Sequence, residues 1–183
     1  MAQNPLLATR LGICFRLVIM TKPTSICIFG DSTAWGAWDL EKGGWVNRLW
    51  LYLAEREEQP DVYNLSISGG TTETILERFE SESKIREADA IIFQSGGNDS
   101  YLMGKDGPNQ IPPEKFKANL EAIIKRARKI TDNIIFVGFK KVDEEKTTPV
   151  SWKDIYYVND QIKKYDDIME NVCKENAILY LKM

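Results

Sequence analysis

The sequence contains no histidine. That removes the side chain most often used as a general base near neutral pH, and the commonest metal ligand. Cysteine is scarce, with three residues at Cys14, Cys27 and Cys173. An odd count at scattered positions argues against a disulfide framework and against a zinc site. Cys27 lies inside an apolar run and reads as a small core residue. Reduced thiols fit a cytoplasmic setting. Net charge is nearly absent as well. The 24 basic and 27 acidic residues leave a formal charge of −3, too little to imply nucleic acid or an anionic membrane as partner. The basic clusters, Lys125-Arg126 with Arg128-Lys129 and Lys140-Lys141, are short and read as a solvated helix face and a loop. No run of about 18 apolar residues occurs, so no transmembrane helix is expected.

What is present is an ordinary globular composition. The 183 residues are 43% hydrophobic and 28% charged, which fits one soluble domain. Near the start, Leu11 to Ile19 is apolar but broken by Arg16, and Arg10 falls late. A signal peptide has its charge first and an unbroken apolar stretch after it. Met20-Thr-Lys-Pro resembles a natural start. Residues 1–22 are therefore expected to be an extension outside the fold, with the domain over 23–183.

From Ser25 onward, short apolar runs alternate with helical spacing. Ser25–Phe29, Val62–Ile67, Ala90–Gln94, Asn133–Val137 and Ala177–Leu181 read as strands. They lack the polar alternation of a one-sided sheet, as expected of strands buried on both faces. Between them, Trp45, Val46, Leu49, Trp50 and Leu53 recur at helical spacing. So do Ile75, Leu76 and Phe79, with a second short helix expected at Ser83–Glu87. Phe116, Leu120, Ile123, Ile124 and Ala127 form another such face, entered through Pro113. A long helix is expected from about Ile155 to Glu175. Strand and helix in alternation indicate an α/β fold, a flavodoxin-like three-layer α/β/α sandwich. Its five-stranded parallel sheet would have the order 2-1-3-4-5. In that order the last strand is an apolar edge strand, which is normally covered or blunted. The architecture reads as one whose C-terminal part is missing.

Working groups in open α/β sheets gather at the carboxyl ends of the strands. Strand one ends in Gly30-Asp31-Ser32, strand two in Ser68-Gly69-Gly70, and strand three in Gly96-Gly97-Asn98-Asp99. These loops offer a serine hydroxyl, a glycine N–H clear of any side chain, and an amide with two donor hydrogens. Acyl transfer to a serine needs such donors for the oxyanion that forms, and losing one typically costs about 10²–10³ in rate. Ser32 N–H, Gly69 N–H and the Asn98 amide could supply three. Trp35, Trp38 and Trp45 flank the serine loop and could line an acyl or aryl pocket. Packing in the core is an equal reading for Trp45 and Trp50. Asp31 and Asp99 read as residues that hold loops through bonds to the backbone, or as substrate contacts.

Gly30-Asp31-Ser32, Ser68-Gly69-Gly70-Thr71 and Gly97-Asn98-Asp99, in that order and each after an apolar run, resemble the first three sequence blocks of the SGNH hydrolases, the GDSL-type esterases and lipases. Val142-Asp143-Glu144 and Pro149 also resemble a stretch seen in many members. The resemblance implies a serine ester hydrolase, with Ser32 as nucleophile and oxyanion donor and Gly69 and Asn98 as the other donors. It implies a small-molecule ester substrate, no metal and no cofactor. The family's Asp-x-x-His motif, which supplies the base and the acid that orients it, is missing from the sequence. A serine hydroxyl is a poor nucleophile without a base. Two explanations follow: a truncated piece of an active enzyme, or a non-catalytic relative that binds esters or sugars. A flavodoxin-like module holding phosphate or flavin is the rival from another class. It lacks the acidic cluster and lysine of a response regulator and a Gly-rich phosphate loop after strand one.

Overall fold

The computed structural model describes residues 22–57 and 59–183, so the expectations for residues 1–21 and for Cys14 lie outside the described residues. The organising strand is β1 (Ser25–Gly30), buried along its whole length. It pairs in parallel with β2 (Asp61–Asn64) on one side and β3 (Ala90–Gln94) on the other. β3 pairs in parallel with β5 (Ile134–Val137), and β5 with β7 (Leu179–Leu181). The sheet order is β2-β1-β3-β5-β7. Counted over the sheet's own strands, this is the expected 2-1-3-4-5. The two interposed strands, β4 (Leu102–Met103) and β6 (Ile155–Tyr156), form a separate antiparallel pair.

The sheet has two apolar faces because side chains alternate along each strand. Cys27, Phe29, Ile91, Phe93, Ile134 and Phe136 point to one face. They meet α3 (Thr72–Ile85), α5 (Pro113–Ala127) and α7 (Asn159–Glu175). Phe93 lies centrally there, with ring centroids 5.8 Å from Phe29, 5.6 Å from Phe79 and 5.0 Å from Phe136. Ile26, Ile28, Ala90, Ile92 and Val137 point to the other face. They meet α1 (Ser32–Trp35) and α2 (Gly44–Ala54) through Ala34, Val46, Leu49 and Leu53. The result is the three-layer sandwich expected.

Two local expectations are corrected. α3 runs unbroken to Ile85, with no separate helix at Ser83–Glu87, because Ser83 is fully buried and continues the inner face one turn beyond Phe79. The long helix starts at Asn159 rather than near Ile155. Ile155 is taken instead into β6, opposite Met103, and packs with Tyr101 and Val150. The charged loop after β5 also contains a single helical turn, α6 (Glu144–Thr147). The start of α3 carries a capping box. The Thr71 side chain accepts from Thr74 N–H, and the Thr74 side chain accepts from Thr71 N–H.

Candidate active site

β1 hands its polar end to the surface through one close turn. A Cβ on Gly30 would lie 2.6 Å from Ala34 Cβ and 2.7 Å from the Gln94 carbonyl oxygen. Only a residue without a side chain lets α1 fold back over the strand end. Asp31 N–H donates to Gln94 O at 3.3 Å, and the Asp31 carboxylate accepts from Thr33 N–H at 2.8 Å, capping α1. Ser32 is the first residue of that helix and is half-buried. Asp31 itself is buried. Burial pushes its carboxyl above the usual range, and the bond from Thr33 pulls in the other direction.

The second loop meets the first directly. Ile67 N–H donates to Gly30 O at 3.0 Å, and Gly70 N–H closes back on Ile67 O at 2.9 Å. Between them Gly69 is exposed and takes the left-handed conformation, φ +78°, with nothing within 4 Å of where a Cβ would stand. A side chain at this position would therefore meet only open space.

The third loop closes the arrangement. Asn98 lies in α4 (Gly97–Ser100) and is buried. Its Nδ2 donates to Gly70 O at 2.8 Å, and its Oδ1 accepts from the Tyr157 hydroxyl at 2.7 Å. A Cβ on Gly97 would stand 3.5 Å from Asp31 Oδ2. The loops of Ser32, Gly69 and Asn98 are thus brought together by direct contacts.

Asp99 is fully buried beneath the loops. Its carboxylate accepts from Thr72 N–H at 3.2 Å and from Thr72 Oγ1 at 2.5 Å. Asn119 Nδ2 in turn donates to Thr72 Oγ1 at 2.9 Å. Burial raises the Asp99 carboxyl to about 6, the Thr72 bonds oppose that, and the nearby Asp31 adds to it.

The tryptophans divide. Trp35 is 56% exposed and Trp38 92% exposed, both beside the serine loop. Trp45 packs on the sheet, and its indole N–H donates to Gln94 Oε1 at 2.7 Å. Gln94 Nε2 donates on to Gly138 O at 3.2 Å, which ties α2 to the ends of β3 and β5. Trp45 is thereby half-buried, packed against the sheet's second apolar face. Sequence reasoning missed Thr72, Gln94 and Tyr157. Thr72 follows directly on a motif already singled out, whereas Tyr157 carries no local signal.

No group of three or more metal-ligating side chains occurs among the described residues, and no helix among them is long and apolar enough to cross a membrane.

Comparison with known proteins bears on the family and the fold. Esterase TesA of Pseudomonas aeruginosa is 27% identical over 137 residues, covering 73% of this chain and 64% of TesA. The chain therefore spans less than two thirds of that relative's length. Among solved structures, the psychrotrophic esterase EstA from Pseudoalteromonas, described as inhibited by monoethylphosphonate, superposes with a TM-score of 0.67 at 18% identity. It covers 87% of this chain and 77% of EstA. The acetylxylan esterase Axe2 of Geobacillus stearothermophilus superposes with a TM-score of 0.65 at 16% identity over 86% of this chain and 74% of Axe2. Its structures include catalytic mutants in which a serine, an aspartate or a histidine is replaced by alanine. At these identities both structures bear on the fold alone. Residues 28–183 match the GDSL-like lipase/acylhydrolase family, and the chain belongs to it.

Proposed function

We propose that this chain carries the nucleophile and the oxyanion site of a serine ester hydrolase. Ser32 Oγ attacks the carbonyl carbon of an acyl or carbohydrate ester and gives its proton to a base. The tetrahedral oxyanion is received by Ser32 N–H, Gly69 N–H and Asn98 Nδ2. The intermediate collapses, the alcohol leaves with a proton, and water then releases the acid from the acyl-serine. The observation that carries this reading is the meeting of three strand-end loops through Gly30 O, Gly70 O and the Asn98 amide. Trp35 offers exposed apolar surface beside Ser32 for the acyl or aryl part of a substrate. Asp31 and Asp99 act on the loops, through Thr33 and Thr72, and so hold the donors in register. Buried free thiols at Cys27 and Cys173 support a cytoplasmic location.

A second reading is tested alongside the first, since the 183 residues given include no histidine to act as the base. In it the same loops bind an ester or sugar without turnover. Imidazole in solution distinguishes the two, because it can supply the missing base. The esterase reading expects ester hydrolysis that rises with imidazole concentration beyond the rate given by Ser32→Ala under the same conditions. Equal rates for the two proteins at every imidazole concentration favour the binding reading.

A further inference from the structure

We propose that Tyr157 is a positioning residue for the oxyanion site, fixing the Asn98 side chain so that one amide hydrogen is left for substrate. The inference rests on the reading of Asn98 as an oxyanion donor.

An asparagine amide has two acceptor lone pairs on Oδ1 and two hydrogens on Nδ2. Here both ends are engaged. Gly70 O takes one hydrogen of Nδ2 at 2.8 Å, and the Tyr157 hydroxyl donates to Oδ1 at 2.7 Å. Rotating the amide by half a turn would set Oδ1 against the Gly70 carbonyl, oxygen to oxygen, so the two bonds together allow one orientation. One Nδ2 hydrogen remains. A donor on Oδ1 also polarises the amide and strengthens what Nδ2 gives, since bonds in a chain reinforce one another.

Tyr157 is built to stay a donor. Burial pushes its hydroxyl up to about 12, and the nearby Tyr101 and Asp31 add to that. It therefore keeps its proton throughout the pH range in which the protein would work. It is also held from several sides. Its N–H donates to Thr147 O at 3.0 Å, and its carbonyl accepts from Thr147 Oγ1 at 2.9 Å. Its ring meets Tyr101 edge-on with centroids 5.4 Å apart, against the cluster that includes Val150 and Ile155. The β4–β6 pair and the turn at α6 thus form a platform that presents one hydroxyl to Asn98, 59 residues away in the chain.

The test is Tyr157→Phe, which removes the hydroxyl and keeps the ring. In a spectrum of the 15N-labelled protein, the two Asn98 side-chain amide signals, assigned by their loss in Asn98→Ala, should shift in Tyr157→Phe. They should stay in place in Tyr101→Phe, which alters the same aromatic cluster without touching Asn98. In imidazole-assisted hydrolysis, Tyr157→Phe should lower kcat about 5- to 10-fold with KM within about twofold, the effect of one lost hydrogen bond. Combined with Asn98→Ala, it should cause no further loss. Asn98 signals unmoved by Tyr157→Phe would overturn the proposal even if no turnover were measurable. Failure of the parent reading looks different: Asn98→Ala would then leave Ser32-dependent hydrolysis unchanged while the Asn98 signals still responded to Tyr157→Phe.

Discussion

Asp99, just past β3, and Thr72, at the start of α3, are joined by hydrogen bonds from both the backbone and the side chain of the threonine, at 3.2 and 2.5 Å. The bond set ties the second strand-end loop to the third beneath the surface, so the heights of Gly69 and Asn98 are set together. Thr72→Val keeps the shape but removes the hydroxyl from a fully buried carboxylate and from Asn119. It should destabilise the protein by about 2–3 kcal/mol, read from the midpoint of urea unfolding. Because the Thr72 bonds hold the Asp99 carboxyl down against burial, its pKa should rise further in the variant.

The same carboxyl gives the protein a pH signature. Asp99 is raised from 3.8 to about 6 by burial, so its folded value lies above its unfolded one. The ionised form is then the costly one in the folded state. Asp99 contributes nothing below about pH 4, where both states are protonated, and weakens the fold progressively as pH rises from there through about 6. The full cost is on the order of 2–3 kcal/mol above that point. Urea midpoints for wild type and Asp99→Asn, compared at pH 4.5 and 7.5, should show the wild type losing ground relative to the variant as pH rises. A constant difference would remove Asp99 from the account.

The glycines at the two loop ends should respond differently to alanine. At Gly30 the new methyl would meet Ala34 Cβ at 2.6 Å and Gln94 O at 2.7 Å, and neither is free to swing away. Gly30→Ala should cost about 3 kcal/mol. At Gly69 the methyl meets nothing, and the only cost is its left-handed backbone at φ +78°. Gly69→Ala should cost about 1–2 kcal/mol. Thermal or urea unfolding of the pair checks the order.

Trp45→Phe should leave the Gln94 amide oxygen without its donor inside the sheet layer. An orphaned buried acceptor costs about 1–3 kcal/mol, and the smaller ring adds a packing loss of similar size. The loss should appear as a lower unfolding midpoint. Trp38, which is 92% exposed, provides the contrast, and Trp38→Phe should shift stability by less than about 0.5 kcal/mol.

These outcomes separate what was legible in the residues from what was not. The sheet was legible because Ile26–Gly30 and Ala90–Gln94 are short apolar runs stopped by glycine or a polar cluster, and such runs have one stable home, between two helical layers. The three loops were legible for the same reason, as the ends of those runs. The continuation of α3 was hidden because its inner face passes through Ser83, a buried residue that carries no apolar signal. β6 was hidden because Ile155 stands at helical spacing from Ile162, while its partner Met103 lies far away in sequence. Tyr157 was hidden by the same long-range pairing. The burial of Trp45 and the exposure of Trp35 depend on which side of a short loop each occupies, and composition cannot distinguish them.

The central claim, that Ser32 is the nucleophile of an oxyanion site built by Gly69 and Asn98, is tested most directly by a fluorophosphonate probe with imidazole present, followed by mass spectrometry of the digested protein. The account expects one adduct, on the peptide that carries Ser32. It should be lost in Ser32→Ala and formed about 10²–10³ times more slowly in Asn98→Ala. An adduct on another serine, or on Ser32 at a rate indifferent to Asn98, would contradict it.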